Sequence, residues 1–503
     1  MNFETRIPVE ILSEIFHLLC NEPIALHILD NSSHFEVFPW AVGQVCRRWR
    51  TAFLSHPPLW TSIALRDPLL LGHPSASYLA EMNRRSAIYL KRSGQRPITI
   101  TISTSMQIPT AESPIATIWI MLLSCSNRWR KAVIMLPPAG SVIDDALLEC
   151  RCRMPILESL KIYTPASESQ RHHNVFEIAP HLIELDLVLY DGMIRTWMFP
   201  WAQLTKLDLE ITHARTGGFA SGNELRSFLL QLQNAEELRL ATLQYDVAPF
   251  KFPPVHLTRL RFLEVSVGFS GVFSWIEPPL LEHLSIDYDY GSFFDTGSCR
   301  EELSSLIDRS SCHIRKLTLQ CGDDELARNV MNALDSVEEL CIENQEIAPC
   351  LVRIIANSNI CIHLPNMQAL NVTICPGGFE ELVAELSCLL KVRSKGSITA
   401  LPSCNIVPLE KLTIRIDWGY CDGDCCQVFY DELRTLDSSL EVMSSWPSFS
   451  LIHVHSDQSK KYPMTLNARA LTAGTLIDLT FYYFNTEENC RYHRILEKMC
   501  TVV

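Results

Sequence analysis

Leu182-Ile183-Glu184-Leu185-Asp186-Leu187 sets a large apolar residue, two variable residues, a second apolar residue, one variable residue and a third apolar residue. The spacing occurs before this stretch at Leu157-Leu160-Ile162. It returns after it at Leu204-Leu207-Leu209, Ala235-Leu238-Leu240, Leu260-Leu263-Val265 and Leu281-Leu284-Ile286. Further copies stand at Ile314-Leu317-Leu319, Val337-Leu340-Ile342, Met367-Leu370-Val372 and Leu409-Leu412-Ile414, with Trp129-Ala132-Ile134 a weaker copy in front. The last two apolar positions of each copy alternate with variable ones. That is the pattern of a half-buried strand, whose side chains point to opposite faces in turn. From Leu160 to Leu412 there are nine steps over 252 positions, a mean of 28 residues. A period of this length marks stacked supersecondary units that bury one shared core.

Period and pattern resemble the leucine-rich repeat, with one strand and usually one helix per unit. Helices between copies are expected at 221–232, 301–309, 325–334 and 379–390. The first opens with a capping box, Ser221-x-x-Glu224, ahead of Leu225, Phe228, Leu229 and Leu232. Steps range from 21 to 42 residues, and the Asn that usually follows the strand is mostly absent, so the expected solenoid is irregular. Strands at 451–455 and 476–484 read as terminal repeats or a cap closing the open end of the core, with a final helix at 485–500.

A chain of 503 residues is too long for one compact core. Its formal net charge of −14 argues against nucleic acid, whose binders need a basic face. Glu4 and Glu10 interrupt the N-terminus, so no secretion signal is expected there. The longest apolar run, 115–123, is far shorter than the ~20 residues of a membrane span and reads as a buried helix. The 19 cysteines read as reduced thiols of an intracellular protein, cytoplasmic or nuclear. Between the head and the repeats, 75–93 reads as a helix on Tyr78, Leu79, Met82 and Leu90, stopped by Gly94, and 97–102 as a strand.

The head of the chain is different. Arg6-Ile7-Pro8-Val9-Glu10-Ile11-Leu12-Ser13-Glu14-Ile15-Phe16 opens a helix, with Pro8 suited to the first helical position and Glu10 and Glu14 in the early turns. A loop at 20–39 precedes a second helix over 40–55, stopped by Pro57-Pro58. Some 60 residues have little core of their own, so the apolar faces of these helices need cover, either from a partner or from the rest of the chain.

The blocks Ile7-Pro8-x-Glu10-Ile11-Leu12-x-x-Ile15-Phe16, Val45-Cys46-Arg47-x-Trp49-Arg50 and Pro57-x-Leu59-Trp60 closely resemble the F-box, most of all the fungal F-box-like proteins with degenerate leucine-rich repeats. The resemblance implies a multidomain chain: a small all-α F-box at 1–66, a connecting helix and first strand unit at 67–125, an irregular α/β leucine-rich-repeat solenoid at 126–445 and terminal repeats or a cap at 446–503. It implies docking on a Skp-type adaptor and, through it, a cullin–RING ubiquitin ligase. The matching positions are Pro8, Ile11, Leu12, Ile15, Phe16, Val45, Cys46, Trp49, Leu59 and Trp60, which share adaptor binding and internal packing. The loop at 20–39 is longer than the usual F-box turn.

Chemistry-bearing motifs are sparse. Gly217-Gly218 and Gly377-Gly378 lack the context of a phosphate loop, and no Gly-x-Ser-x-Gly elbow occurs. Cys421-Asp422-Gly423-Asp424-Cys425-Cys426 is the best metal candidate, with Cys150-x-Cys152 behind it. Neither has a second half at zinc spacing, so both read as loop thiols. His453-x-His455 and His172-His173 read as packed or solvated pairs. No catalytic residue, metal or cofactor is expected.

The strand residues between the leucines point to what would be the concave face of a solenoid. They include Glu184, Asp186, Asp208, Glu210, Glu237, Glu264 and Asp287 against Lys206 and Arg239, a negative stripe suited to a basic segment of a target protein. Lys316, Lys411 and Arg415 turn later copies mixed to basic. The expectation is a non-catalytic substrate receptor of a Skp–cullin–F-box ligase, with an F-box scaffold acting without ubiquitin transfer as the alternative.

Overall fold

The computed structural model describes residues 7–19, 45–66, 76–103, 114–136, 142–164, 174–190, 197–212, 222–242, 253–266, 272–288, 296–321, 324–343, 348–356, 364–374, 409–417, 449–455, 464–472 and 475–483, with residues 194, 382, 385, 386, 389 and 407. The loop at 20–39, His172-His173, both Gly-Gly pairs, the cluster at 421–426 and the helix expected at 485–500 lie outside them. The chain forms two compact units, Met1–Val247 and Ala248–Val503.

The first unit begins with helix α1 (Val9–Leu19), Pro8 standing immediately ahead of it and accepting the Leu12 N–H at 3.1 Å. Helix α2 (Arg47–Ser55) is capped by Cys46, whose extended backbone lets Sγ accept the Trp49 N–H. A 3-10 turn (Pro57–Trp60) leads to β1 (Ser62–Arg66), a strand inside the stretch read from sequence as wholly helical. Then come α3 (Ala76–Ser93), β2 (Ile98–Ser103), α4 (Pro114–Ser124), β3 (Trp129–Met135) and α5 (Val142–Leu148). They are followed by β4 (Ser159–Tyr163), β5 (Glu184–Tyr190), β6 (Lys206–Thr212), α6 (Gly222–Leu229) and β7 (Glu237–Thr242). Strands β1 to β7 pair in chain order, every pair parallel.

Helix α3 ends at Gly94, whose φ of +60° suits a residue without Cβ. Its buried stripe is Met82, Ser86, Tyr89 and Ser93, while Leu90 is only half-buried. Tyr89 takes the inner position because Trp60 packs edge-on against it at 4.9 Å. Arg128 closes the same helix end. Its Nε donates to the Arg96 carbonyl and Nη2 to Ser93 Oγ, a cation set where helix carbonyls lack partners. The apolar run at 115–123 is helical as expected, with Ala116, Ile118, Trp119, Leu122 and Leu123 buried and Thr117 and Ile120 exposed. It lies within α4, and no helix of the described residues is long and apolar enough to cross a membrane.

The second unit contains β8 (Val255–His256), β9 (Phe262–Ser266), α7 (Val272–Trp275), β10 (Ile276–Glu277), β11 (His283–Tyr288), α8 (Thr296–Ser310), β12 (Lys316–Cys321) and α9 (Asp324–Asn332). It continues through β13 (Glu339–Ile342), α10 (Ala348–Ala356), β14 (Ala369–Ile374), β15 (Lys411–Asp417), β16 (Phe449–His455), β17 (Met464–Thr472) and β18 (Thr475–Tyr483). Strands β9, β11, β12, β13, β14 and β15 run parallel in that order. Strand β18 joins β15 in parallel, and β17 and β16 follow antiparallel. Strands β8 and β10 form a small parallel ribbon of their own. Leu382, Leu386 and Leu389, from the helix expected at 379–390, are buried.

Each of the ten repeat copies places its last two apolar residues on one strand, and within each unit neighbouring copies face each other without offset. Leu160, Leu185, Leu207 and Leu238 form one register row, and Ile162, Leu187, Leu209 and Leu240 the next. In the second unit Leu263, Leu284, Leu317, Leu340, Leu370 and Leu412 align the same way. All these residues are buried. A backbone feature repeats with them. The carbonyl two residues before the first strand leucine takes two successive N–H groups from the next copy, at 2.7–3.1 Å. This recurs at Glu158, Ile183, Thr205, Arg261, Glu282, Arg315, Glu338 and Gln368.

The rows make a direct prediction. Leu207→Ala deletes a buried side chain with leucines on both sides and should cost about 2–5 kcal/mol. Ile183→Ala, at an exposed side chain near the same strands, should cost within about 0.5 kcal/mol. Urea denaturation of both variants checks the contrast.

Candidate functional site

Eight of the ten head residues picked from sequence fall into two groups, with Cys46 and Trp49 between them. Leu12, Phe16, Leu59 and Trp60 are buried. Phe16 packs edge-on against Trp49 at 5.4 Å and Phe53 at 6.4 Å. Phe53 meets Trp60 at 4.9 Å, and Trp60 meets Tyr89 of α3. Trp60 Nε1 donates to the Phe53 carbonyl at 3.3 Å, and the Arg92 guanidinium lies 4.5 Å over the Trp60 ring. This chain of rings ties the helical head to the first helix beyond β1, so the rest of the chain covers the inner face of the head.

The other group faces outward. Ile11 is 52% exposed, Ile15 37% and Val45 56%, and Pro8 is exposed too. Val9, not among the residues picked from sequence, is exposed as well. The division follows helix geometry. Leu12 and Phe16 form one i, i+4 row, while Ile11 and Ile15 form a second, rotated about 100° from it. Cys46 is the N-cap of α2, and Trp49 is half-buried at the edge of the ring cluster. On α1 the exposed apolar row is flanked by exposed Glu10 and Glu14, and Arg47 and Arg50 of α2 are exposed too.

The acidic residues picked from the strands are not a free negative stripe. On β4 to β7 the register aligns Lys161, Asp186, Asp208 and Arg239 in one row and Ser159, Glu184, Lys206 and Glu237 in another. Lys161 pairs with Asp186, Arg239 with Asp208 at 3.6 Å, and Lys206 with Glu237 at 2.8 Å. Lys161 lies in the copy before the stretch read as acidic, and only the register brings it into the row. The two rows therefore set four carboxylates against three cations, and Glu210 adds a fifth carboxylate in the next row. Glu264 and Asp287 sit apart, on β9 and β11 of the second unit, each with a partner. Lys316 faces Glu339 at 3.1 Å.

An excess of acid survives at Asp186, Asp208 and Glu210. Burial, reinforced by Asp186, pushes the Asp208 carboxyl above the usual aspartate range against the pull of Arg239 and Lys161. Burial, then Asp208 and Asp186, pushes Glu210 up likewise.

Among the described residues no three His, Cys, Asp or Glu side chains are placed to hold a metal ion. Cys150 is buried, with Sγ directed at the Leu123 and Ala146 carbonyls, and burial raises its thiol. Cys152 is exposed with a φ of +66°, so the pair does not converge. His453 and His455 lie on β16, where they pair with Asn467 and Thr465 of β17.

No protein-family model matches this chain, and comparison with characterised proteins finds no match.

The raised carboxyls fix a pH dependence. The folded chain holds the Asp208 proton to a higher pH than the unfolded chain, whose aspartate titrates near about 3.9. Stability is therefore lost as pH rises through the folded value and regained below it. Asp208→Asn removes this loss, so the variant should gain stability over the wild type as pH rises from about 4 to 7. Thermal midpoints measured across that range check the sign.

Proposed function

We propose that the chain is a substrate-recognition subunit of a Skp–cullin–F-box ubiquitin ligase, acting inside the cell, in cytoplasm or nucleus. In this reading the head is an F-box-like module that docks on a Skp-type adaptor. The strand-bearing remainder is an irregular leucine-rich-repeat array that holds a target protein near the ubiquitin-charged enzyme. Its contribution to rate is proximity rather than chemistry.

The observation that carries the reading is the exposed apolar row on α1. Ile11 and Ile15 form that row; with Val9 on another side of α1 and Val45 ahead of α2, they are large apolar side chains left outside a head whose inner face is already filled by its own rings. Exposed apolar groups gathered on one small module mark an interaction surface. The repeat reading is supported by the leucine rows and by the recurring two-bond carbonyl, both of which return at the mean period of 28 residues.

The burial pattern selects the residues for the test. Leu12→Ala opens the module's own core and would confuse unfolding with lost docking. Ile11→Asp with Ile15→Asp changes only exposed side chains. The double variant should keep its thermal midpoint within a few degrees and lose at least tenfold in affinity for a Skp-type adaptor, with the cullin lost from co-purification. Adaptor capture equal to wild type would remove the head from this role.

A further inference from the structure

The strands of the first unit run parallel in chain order, so the segments that lead into them lie along one edge of the sheet. The segments entering β2 and β3 carry cations alone. Lys91, Arg92 and Arg96 stand between the last turn of α3 and β2, and Arg128, Arg130 and Lys131 at the entry to β3. Neither 91–97 nor 124–131 contains an Asp or Glu. In a chain of net charge −14 this is a local reversal of sign.

Hydrogen bonds hold the two segments together. The Gly94 N–H reaches the Lys91 carbonyl at 3.4 Å and the Arg96 N–H the Ser93 carbonyl at 3.2 Å, while Arg128 donates to the Arg96 carbonyl and to Ser93 Oγ. Arg128 is only 9% exposed, and both acceptors are neutral. The end of α3 offers it about half a negative charge, which Lys91, Arg92 and Arg96 share. Three of the six cations are engaged: Arg128 inward, Arg92 over the Trp60 ring, and Arg130 with Glu158 at 2.8 Å. Lys91, Arg96 and Lys131 are exposed, and none is paired with a carboxylate among the described residues.

The surroundings bound what fits. The next turn, 149–158, is balanced, with Glu149 and Glu158 against Arg151 and Arg153, and Arg151 meets Glu177. Asp144 and Asp145 stand in the first turn of α5, the end farther from this turn. On the other side α2 brings Arg47, Arg48 and Arg50, while the head's exposed acids, Glu10 and Glu14, are on α1.

We propose that this edge docks a short acidic segment of a partner polypeptide, whose carboxylates meet Lys91, Arg96 and Lys131. Size selects the occupant. The cationic segments belong to two adjacent strands, about 4.8 Å apart, a footprint that matches a few successive side chains of a peptide. A nucleic-acid duplex or a bilayer would reach past them onto Glu149 and Glu158. The surface is apart from α1, and its role stands whether or not the head binds an adaptor.

A fluorescein-labelled dodecapeptide of glycine and serine with a central run of glutamates is the probe, titrated with the full chain and read by anisotropy. It should bind, with affinity falling about tenfold as salt rises from about 50 to about 200 mM. Lys91→Glu with Arg96→Glu changes only exposed side chains, so the thermal midpoint should hold while affinity falls about tenfold or more. Lys131→Glu, on the neighbouring strand, should weaken binding as well. Arg259→Glu with Arg328→Glu, at exposed cations of the second unit, makes the same change in net charge as the first pair and should leave affinity unchanged. No binding by the wild type, salt-insensitive binding, or an equal loss in the second-unit variant overturns the proposal. Tighter binding of oligothymidylate or of phosphatidylserine vesicles than of the peptide overturns it too, by assigning the edge to a polyanion.

Discussion

The constraint on which the rest depends is the stacking of strand leucines without offset. A strand with two inward leucines cannot bury them alone; burial of each contributes about 1.5–3 kcal/mol only when a neighbour stands at the same height. The rows through Leu185, Leu207 and Leu238, and through Leu284, Leu317 and Leu340, supply that neighbour. The carbonyl two residues upstream, bonded to two successive N–H groups of the next copy, holds the height by backbone geometry. Because leucines take one face, the intervening side chains are confined to the other. Both the paired charges of β4 to β7 and the row of short polar side chains from Ser285 through Thr318, Cys341 and Asn371 to Thr413 are consequences of that confinement.

The head obeys a different rule. It has too few residues to fill a core, and it closes one by aromatic contacts running from Phe16 through Phe53 and Trp60 to Tyr89. Its stability therefore draws on α3, outside the head. The helix that contributes Phe16 also presents Ile11 and Ile15 outward, so one short element anchors the module and, in the proposed reading, offers it to a partner.

Much of the strand order was legible because every copy requires the same two core residues at the same spacing. Strand β17 was not legible: its alternate positions Ala468 and Ala470 are too small to register as an apolar stripe. Strand β1 carries Ile63 and Leu65 but follows the Pro-Pro turn outside the period. The Arg128 cap joins residues more than 30 positions apart, beyond any local pattern. In the head, sequence named suitable residues without dividing them, because Leu12 and Ile11 are the same kind of side chain on rows 100° apart. On the strands it overstated the negative charge, since Lys161 opposes Asp186 only once the register is known.

The central claim is that the exposed row of α1 is a docking surface while the ring cluster beneath it is structural. Hydrogen exchange of the full chain, with and without a Skp-type adaptor, tests it most directly. The account predicts slowed exchange confined to residues 8–16 and 45–50, with the strands unchanged. Unaltered exchange across α1, or protection confined to the strands, would contradict it.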